Sequence, residues 1–249
     1  MENPYQITLN PPFEVCRHFC ETIDTVFAAT THSIHKARNE IKKISCKEQT
    51  IMVKSFKVPH LLNRIIYTYF RDSKAQKSYD NALYLRSLEI NTPEPIAIIK
   101  ELTPTLHKSF FLSVAFEYDF TIREPLLDIE FEDREAIFKA FALFTADLHN
   151  KGVLHLDYSP GNILVQRIED AYVFSIVDIN RMQFKTLTQE ERFKNFSRLW
   201  ADEDVLITIA TEYALETGID QELCQQQMIH YDNENKRIKN FKKKFRKRR

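Results

Sequence analysis

The sequence predicts an α+β fold in two lobes: an N-terminal antiparallel sheet with one helix, then a mostly helical C-terminal lobe. Three observations carry that expectation. Alternating, β-branched segments crowd the first half. Apolar stripes of helical period fill the second. Between helix and strands lies a polar loop, His155-x-Asp157-x-x-x-x-Asn162, with Asp178 at the end of the next strand. A chain of 249 residues, 43% hydrophobic and 12% aromatic, is long and apolar enough to bury such cores.

The elements follow in order. Residues 1–24 are mixed, a short strand and a helix. Residues 25–57 read as a meander with strands at 25–27, 41–44 and 49–56. Residues 60–70 are apolar and aromatic. Ser73 can cap a helix over 73–88, in which Ala75, Tyr79, Ala82, Leu83 and Leu85 form a stripe. The run Asn91-Thr-Pro-Glu-Pro95 stops it, and strands are expected at 96–99 and 110–116. Residues 132–149 give the clearest helix, with Ile137, Phe141, Phe144 and Leu148 on one side and Gly152 as terminator. Strands at 162–165 and 173–177 follow, then two or three helices over 188–230, one around Trp200 and one over 207–214. The domain plan is therefore 1–116, a connector 117–119, a helical lobe 120–235 with its loop at 155–162, and a basic tail 236–249.

The loop has a chemical reading. Transfer of a phosphoryl group needs a carboxylate to take the proton of the attacking hydroxyl. It also needs an amide oxygen and a second carboxylate to hold Mg²⁺ against nucleotide phosphates. Asp157, Asn162 and Asp178 supply these groups in the order and spacing of a kinase catalytic loop and metal segment. The bland alternative makes Asp157 and Asn162 ordinary turn residues beside Pro160 and Gly161. The helix that enters the loop and the two strands that leave it favour the chemical reading.

The first lobe should then offer a cation on a strand, fixed by an acid on the helix. Lys54 follows Ile51-Met52-Val53 as the lysine follows Val-Ala-Ile in kinases. Lys57, three residues on, would face the other side of a regular strand. Asp80 is the acid between Ser73 and Leu88, with Ser78 or Gln76 in its place if the register moves. Glu117 and Tyr118 in the connector complete the expected nucleotide contacts. A glycine-rich phosphate loop is impossible, because the glycines are Gly152, Gly161 and Gly218. Small residues over 28–33 would have to cover the phosphates. No Ala-Pro-Glu segment follows Asp178, which argues against a peptide-docking activation loop.

A net charge of zero conceals an asymmetry. Residues 236–249 hold ten of the 35 basic side chains and no acid, leaving 25 bases against 35 acids in the rest. Phe241 and Phe245 interleave the charges, a pattern suited to an anionic membrane surface. Nucleic acid is a weaker alternative, and a solvated tail the bland one. No apolar run reaches bilayer length and no secretory signal is visible, so the expected location is cytoplasmic, peripheral on the inner membrane face. Cys16, Cys20, Cys46 and Cys224 are irregularly spaced and expected as reduced, buried thiols. Cys16-x-His18-x-Cys20 is too short of ligands to hold a metal.

Several stretches together resemble the lipopolysaccharide kinase family. They are Arg38-Asn-Glu-Ile-Lys42, Val53-Lys-Ser-Phe-Lys57, Ser73-Lys-Ala75 with Ser78-Tyr-Asp-Asn-Ala82, Thr92-Pro-Glu-Pro-Ile96 and 155–165. That family comprises small kinases of protein-kinase-like fold, related to the RIO kinases, acting on Kdo or core heptose. The resemblance spans roughly 35–200. It implies ATP- and Mg²⁺-dependent phosphorylation of a lipid-linked sugar at the cytoplasmic membrane face; a monomer is expected. Asp157 would be the base, Asn162 and Asp178 the metal ligands, and Lys54 the phosphate cation. Two departures stand out: Asp80 where relatives often show glutamate, and Asp178-Ile-Asn180 where protein kinases show Asp-Phe-Gly. A non-catalytic scaffold and a kinase for another small molecule or a protein are the alternatives.

Overall fold

The computed structural model describes residues 4–37, 39–47 and 49–246. It divides into two compact units, Met1–Phe116 and Glu117–Arg249.

The first unit is built on one antiparallel sheet. Its strands are β1 (Tyr5–Leu9), β2 (His35–Lys36), β3 (Glu40–Cys46), β4 (Gln49–Phe56), β5 (Pro95–Leu102) and β6 (Leu106–Val114), in the order β1-β5-β6-β4-β3-β2. Helices α1 (Arg17–Glu21) and α2 (Ile23–Ala29) precede β2, and α3 (Leu61–Tyr69) and α4 (Lys74–Ser87) lie between β4 and β5. One core cluster joins Phe13, Cys16, Cys20, Ile23 and Phe27 to Ile51, Val53, Ile99, Phe110 and Leu112. Cys16 and Cys20 are thus core residues, while the side chain of His18 between them is 89% exposed.

Residues 25–27 are helical, not a strand. The β-branched pair Thr25-Val26 suggested extension. Burial of Ile23 and Phe27, one helical turn apart, outweighs that local preference. The C-terminus of α2 is closed by Lys42 on β3. Its Nζ donates to the carbonyls of Phe27 and Thr30, at 2.7 Å each, and lies 4.2 Å from the Phe27 ring centroid. A cation there satisfies orphan carbonyls and opposes the negative end of the helix. Because Ala28 and Ala29 belong to α2, the expected phosphate-covering stretch 28–33 is not a single loop. Strands β2 and β3 pair antiparallel, with Lys36 opposite Glu40.

Helix α4 packs on β5 and β6. Ser73 caps it, accepting from the Gln76 N–H at 3.1 Å. Ala75, Ser78, Tyr79, Ala82 and Leu85 are buried; Leu83, expected in that stripe, is exposed.

The second unit holds β7 (Phe120–Thr121), α5 (Arg123–Leu127), α6 (Arg134–Asn150), β8 (Val153–His155), β9 (Ile163–Ile168), β10 (Ala171–Ile176), β11 (Met182–Phe184), α7 (Gln189–Phe196), α8 (Glu203–Thr217) and α9 (Gln221–Arg246). Strands pair as β10-β9-β7 and as β11-β8. Helix α6 buries Ile137, Phe138, Phe141 and Leu148, as its period requires. Trp200, expected within a helix, instead occupies the turn between α7 and α8, with φ +58. Helix α9 runs unbroken through Lys236, so the stretch expected as a separate basic tail begins as part of the body. Asn235 Nδ2 donates to the Ser197 carbonyl and Lys236 Nζ to the Ala201 carbonyl, both at 2.7 Å.

Gly152 turns the chain from α6 into β8 at φ +74, and a Cβ there would meet the Lys185 carbonyl oxygen at 2.7 Å. That oxygen belongs to backbone and cannot step aside. Gly152→Ala should therefore cost on the order of 2–4 kcal/mol in a urea titration, from left-handed strain plus overpacking.

Candidate active site

The catalytic-loop residues are positioned by two strand pairs. Strand β8 ends at His155, and its partner β11 places Met182 opposite it. The Leu156 N–H donates to the Arg181 carbonyl at 3.0 Å, so the segment 177–181 arches back over the loop. Strands β9 and β10 set Ile163 against Ile176, and the Val177 N–H donates to the Asn162 carbonyl at 2.9 Å. Asn162 and Asp178 are therefore brought to neighbouring positions by sheet register.

His155 ties the two halves. It is fully buried, its Nε2–H donates to the Val177 carbonyl at 3.0 Å, and its Nδ1 accepts from the Asp157 N–H at 3.1 Å. Burial pushes its pKa below the usual histidine value, which keeps the neutral ring this pattern needs. One imidazole thus fixes the backbone of Asp157 and the residue before Asp178.

Asn162 Nδ2 donates to the Asp157 carbonyl at 2.9 Å, so its amide oxygen is oriented away from that carbonyl. Asp178 sits at φ +56, outside the usual region for a non-glycine residue, and its Oδ1 accepts from Asn180 Nδ2 at 2.7 Å. A neutral amide oxygen and a carboxylate are hard donors of the kind Mg²⁺ prefers, so this donor set fits that ion. The Asp157 carboxylate is ion-paired with Arg181. Arg181 sits one residue past Asp178-Ile-Asn180, where no motif marks it.

A cleft of about 340 Å³ opens beside Asp157 within this unit. Arg123, Ser159, Arg198, Trp200 and Lys239 line it with Asp157. Behind the loop runs a buried chain of polar contacts. The Tyr213 hydroxyl meets His149 Nδ1 at 2.9 Å, His149 Nε2 meets Asn195 Oδ1 at 3.1 Å, and Asn195 Nδ2 donates to the His155 carbonyl at 2.9 Å. It links α8, α6, α7 and β8 to the residue that opens the catalytic loop.

The other expected residues fall on the connector and on the first unit. Glu117 and Tyr118 begin the second unit in an irregular, exposed segment; the neighbouring Asp119 N–H donates to the Val165 carbonyl at 2.9 Å. Lys54 is half-buried on β4, its Nζ 5.3 Å from the Phe56 ring centroid. Asp80, expected as the acid fixing Lys54, is exposed and accepts from Gln76 Nε2 at 2.8 Å. Its charge acts on Lys100 of β5, whose pKa burial lowers while Asp72 and Asp80 oppose the shift. Asp80 falls outside the buried stripe Ala75-Ser78-Tyr79-Ala82 that α4 turns to the sheet.

A carboxylate, an amide oxygen and a second carboxylate are knit together at the ends of strands in a protein-kinase-like fold. The family model described as the lipopolysaccharide kinase (Kdo/WaaP) family matches residues 53–215. The chain belongs to that family, whose members transfer a phosphoryl group to sugar hydroxyls. Among solved structures, it is similar to "WaaP in complex with acyl carrier protein", with 16% identity and a TM-score of 0.61. That match covers 92% of this chain and 99% of the other, and at this identity the likeness is one of fold. No curated protein matches the sequence.

Proposed function

We propose that this protein is an ATP- and Mg²⁺-dependent kinase for a sugar hydroxyl of a lipopolysaccharide core, on Kdo or heptose. The observation that carries the reading is the fixed arrangement of Asp157, Asn162 and Asp178 around His155. The acceptor hydroxyl attacks the γ-phosphorus of ATP. Its oxygen forms the new P–O bond, the bond to the bridging oxygen of ADP breaks, and the hydroxyl proton passes to the Asp157 carboxylate. Asn162 and Asp178 would hold Mg²⁺, which neutralises charge on the phosphates when bound. On the family resemblance, Lys54 binds nucleotide phosphates.

The competing reading is a silent kinase-like scaffold, favoured by the missing glycine loop and by Asp80 facing Lys100. Calorimetry separates the two. ATP should bind the wild type only with Mg²⁺, and Asp178→Ala should abolish that dependence. A wild type that neither binds nor turns over ATP would establish the scaffold.

A lipid-linked acceptor requires access to a bilayer, and the reading includes peripheral attachment to the cytoplasmic membrane face. Two surfaces support it. The end of α9 carries exposed Lys242, Lys243 and Lys244 beside Phe241, which is 62% exposed. In the first unit, α3 and the residue after it expose Leu61, Leu62, Ile65, Tyr69 and Phe70, with Leu62 and Phe70 each 78% exposed. An apolar helix face left in water suits insertion at the headgroup boundary. Co-sedimentation with vesicles containing anionic lipid tests this. Replacing Lys242, Lys243 and Lys244 together by glutamine should weaken partition about a hundredfold, at ~1 kcal/mol per charge. Leu61→Ser with Leu62→Ser should weaken it independently of salt. Unchanged binding in both variants would exclude membrane attachment through these surfaces.

A further inference from the structure

We infer that the cleft beside Asp157 is a subsite for an acidic acceptor, in which Arg123, Arg198 and Lys239 hold an anionic group near the phosphorylated hydroxyl. This rests on the reading of Asp157 as the base. It adds which acceptors the base can serve.

Placement comes first. The cleft is lined by Asp157 but not by Asn162 or Asp178, so it opens on the proton-accepting side of the loop, away from the metal ligands. That is where an acceptor belongs, not a nucleotide. All its lining residues belong to the second unit, and about 340 Å³ lies at the lower end of the range of ligand sites, suited to a sugar.

Charge comes second. Three cations from three separate segments converge there: Arg123 at the start of α5, Arg198 after α7 and Lys239 on α9. Among the described residues, no acid forms an ion pair with any of the three. Arg123 and Arg198 belong to the body, where acids outnumber bases by ten, and Asp157, the acid that lines the cleft, is already ion-paired with Arg181. Three like charges repel one another, and an anion in the cleft relieves that cost. Gly161 lets one of them approach closely: a Cβ there would lie 2.5 Å from Arg123 Nη2, so the guanidinium rests over the catalytic loop.

The aromatic wall comes third. Trp200 is held in left-handed backbone, which is an outlier for so bulky a residue. Its neighbours Leu199 and Ala201 are buried, while the indole is 45% exposed and faces the cleft. The turn that carries Arg198 and Trp200 is clamped through the Ser197 and Ala201 carbonyls by Asn235 and Lys236, one turn before Lys239 on the same helix. An indole face of this kind packs on the apolar face of a sugar ring. Helix α9 lies beyond the span of the family match, so Lys239 is a feature of this chain and not of the matched core.

The anion could be the carboxylate of a 2-keto sugar acid such as Kdo or a phosphate already on the glycolipid. Steady-state kinetics with the purified full-length protein distinguish them. Four acceptors are compared: a Kdo-bearing lipid A, its carboxyl methyl ester, its dephosphorylated form, and a neutral heptose-terminated glycolipid. The ester should lose about tenfold or more in kcat/KM if the carboxylate is bound, and the dephosphorylated lipid if phosphate is bound. Arg198→Gln and Lys239→Gln should each raise the KM of the acidic acceptor by a similar factor, leave the KM of ATP unchanged, and have little further effect on the neutralised one. Equal kcat/KM for all four acceptors would overturn the subsite and leave the kinase reading standing. A rise in the KM of ATP in the two variants would reassign these cations to the nucleotide and overturn it as well. Turnover of none of the acceptors would overturn both.

Discussion

Asp157→Asn should lower turnover by ~10²–10⁴ and leave Mg²⁺-dependent ATP binding intact. The substitution removes the carboxylate proposed as proton acceptor but keeps the side-chain shape. It also leaves the contacts that organise the site, because these use the backbone of residue 157. The Asp157 N–H is held by His155 Nδ1, and its carbonyl accepts from Asn162 Nδ2. What is lost besides the base is the ion pair with Arg181, whose side chain is more than half exposed. An exposed pair contributes about 0–1 kcal/mol, too little to explain a rate loss of that size through stability. Asp178→Asn should show the reverse pattern, with metal-dependent binding lost first. A variant at Asp157 that turns over normally would show that the hydroxyl proton leaves by another route.

The second large effect lies behind the loop. Asn195→Leu should destabilise the protein by about 2–5 kcal/mol, because it orphans two buried partners at once, the His149 ring N–H and the His155 carbonyl. It should also slow turnover, since His155 anchors the backbone of Asp157. The same network makes stability fall in acid. Burial pushes the His149 pKa down to about 4, against an ordinary value of 6.5. Between those values the unfolded chain binds more protons than the folded one. Stability therefore falls as pH drops from about 6.5 to about 4, by ~3 kcal/mol in total for this group. Burial moves His155 in the same direction. Melting temperatures measured from pH 7 to pH 4.5 should decline steadily, and His149→Gln should flatten part of that decline. A profile identical in wild type and variant would remove His149 from the account.

Which parts were legible in the sequence follows from how local their causes are. The turn from His155 to Asn162 was legible because its backbone contacts span only a few residues. The helix at Arg134–Asn150 and the strands β3 to β6 were legible because their apolar periods match their burial. Residues 25–27 misled because three residues cannot separate a strand from a helix whose stripe extends to Ile23. Arg198, Trp200 and Lys239 carry no motif. They meet only because α9 folds back on the turn after α7, a contact some 38 residues apart in sequence. The basic run at the C-terminus was visible as charge, while its division was not: Lys236 donates to the Ala201 carbonyl, Lys239 lines the cleft, and Lys242 to Lys244 face solvent.

The most direct test of the central claim is mass spectrometry of the lipid A-core from cells carrying wild-type protein, Asp157→Asn protein or none. The site described here predicts one additional phosphate on the core sugar with the wild type alone. Identical phosphate content in all three would contradict it.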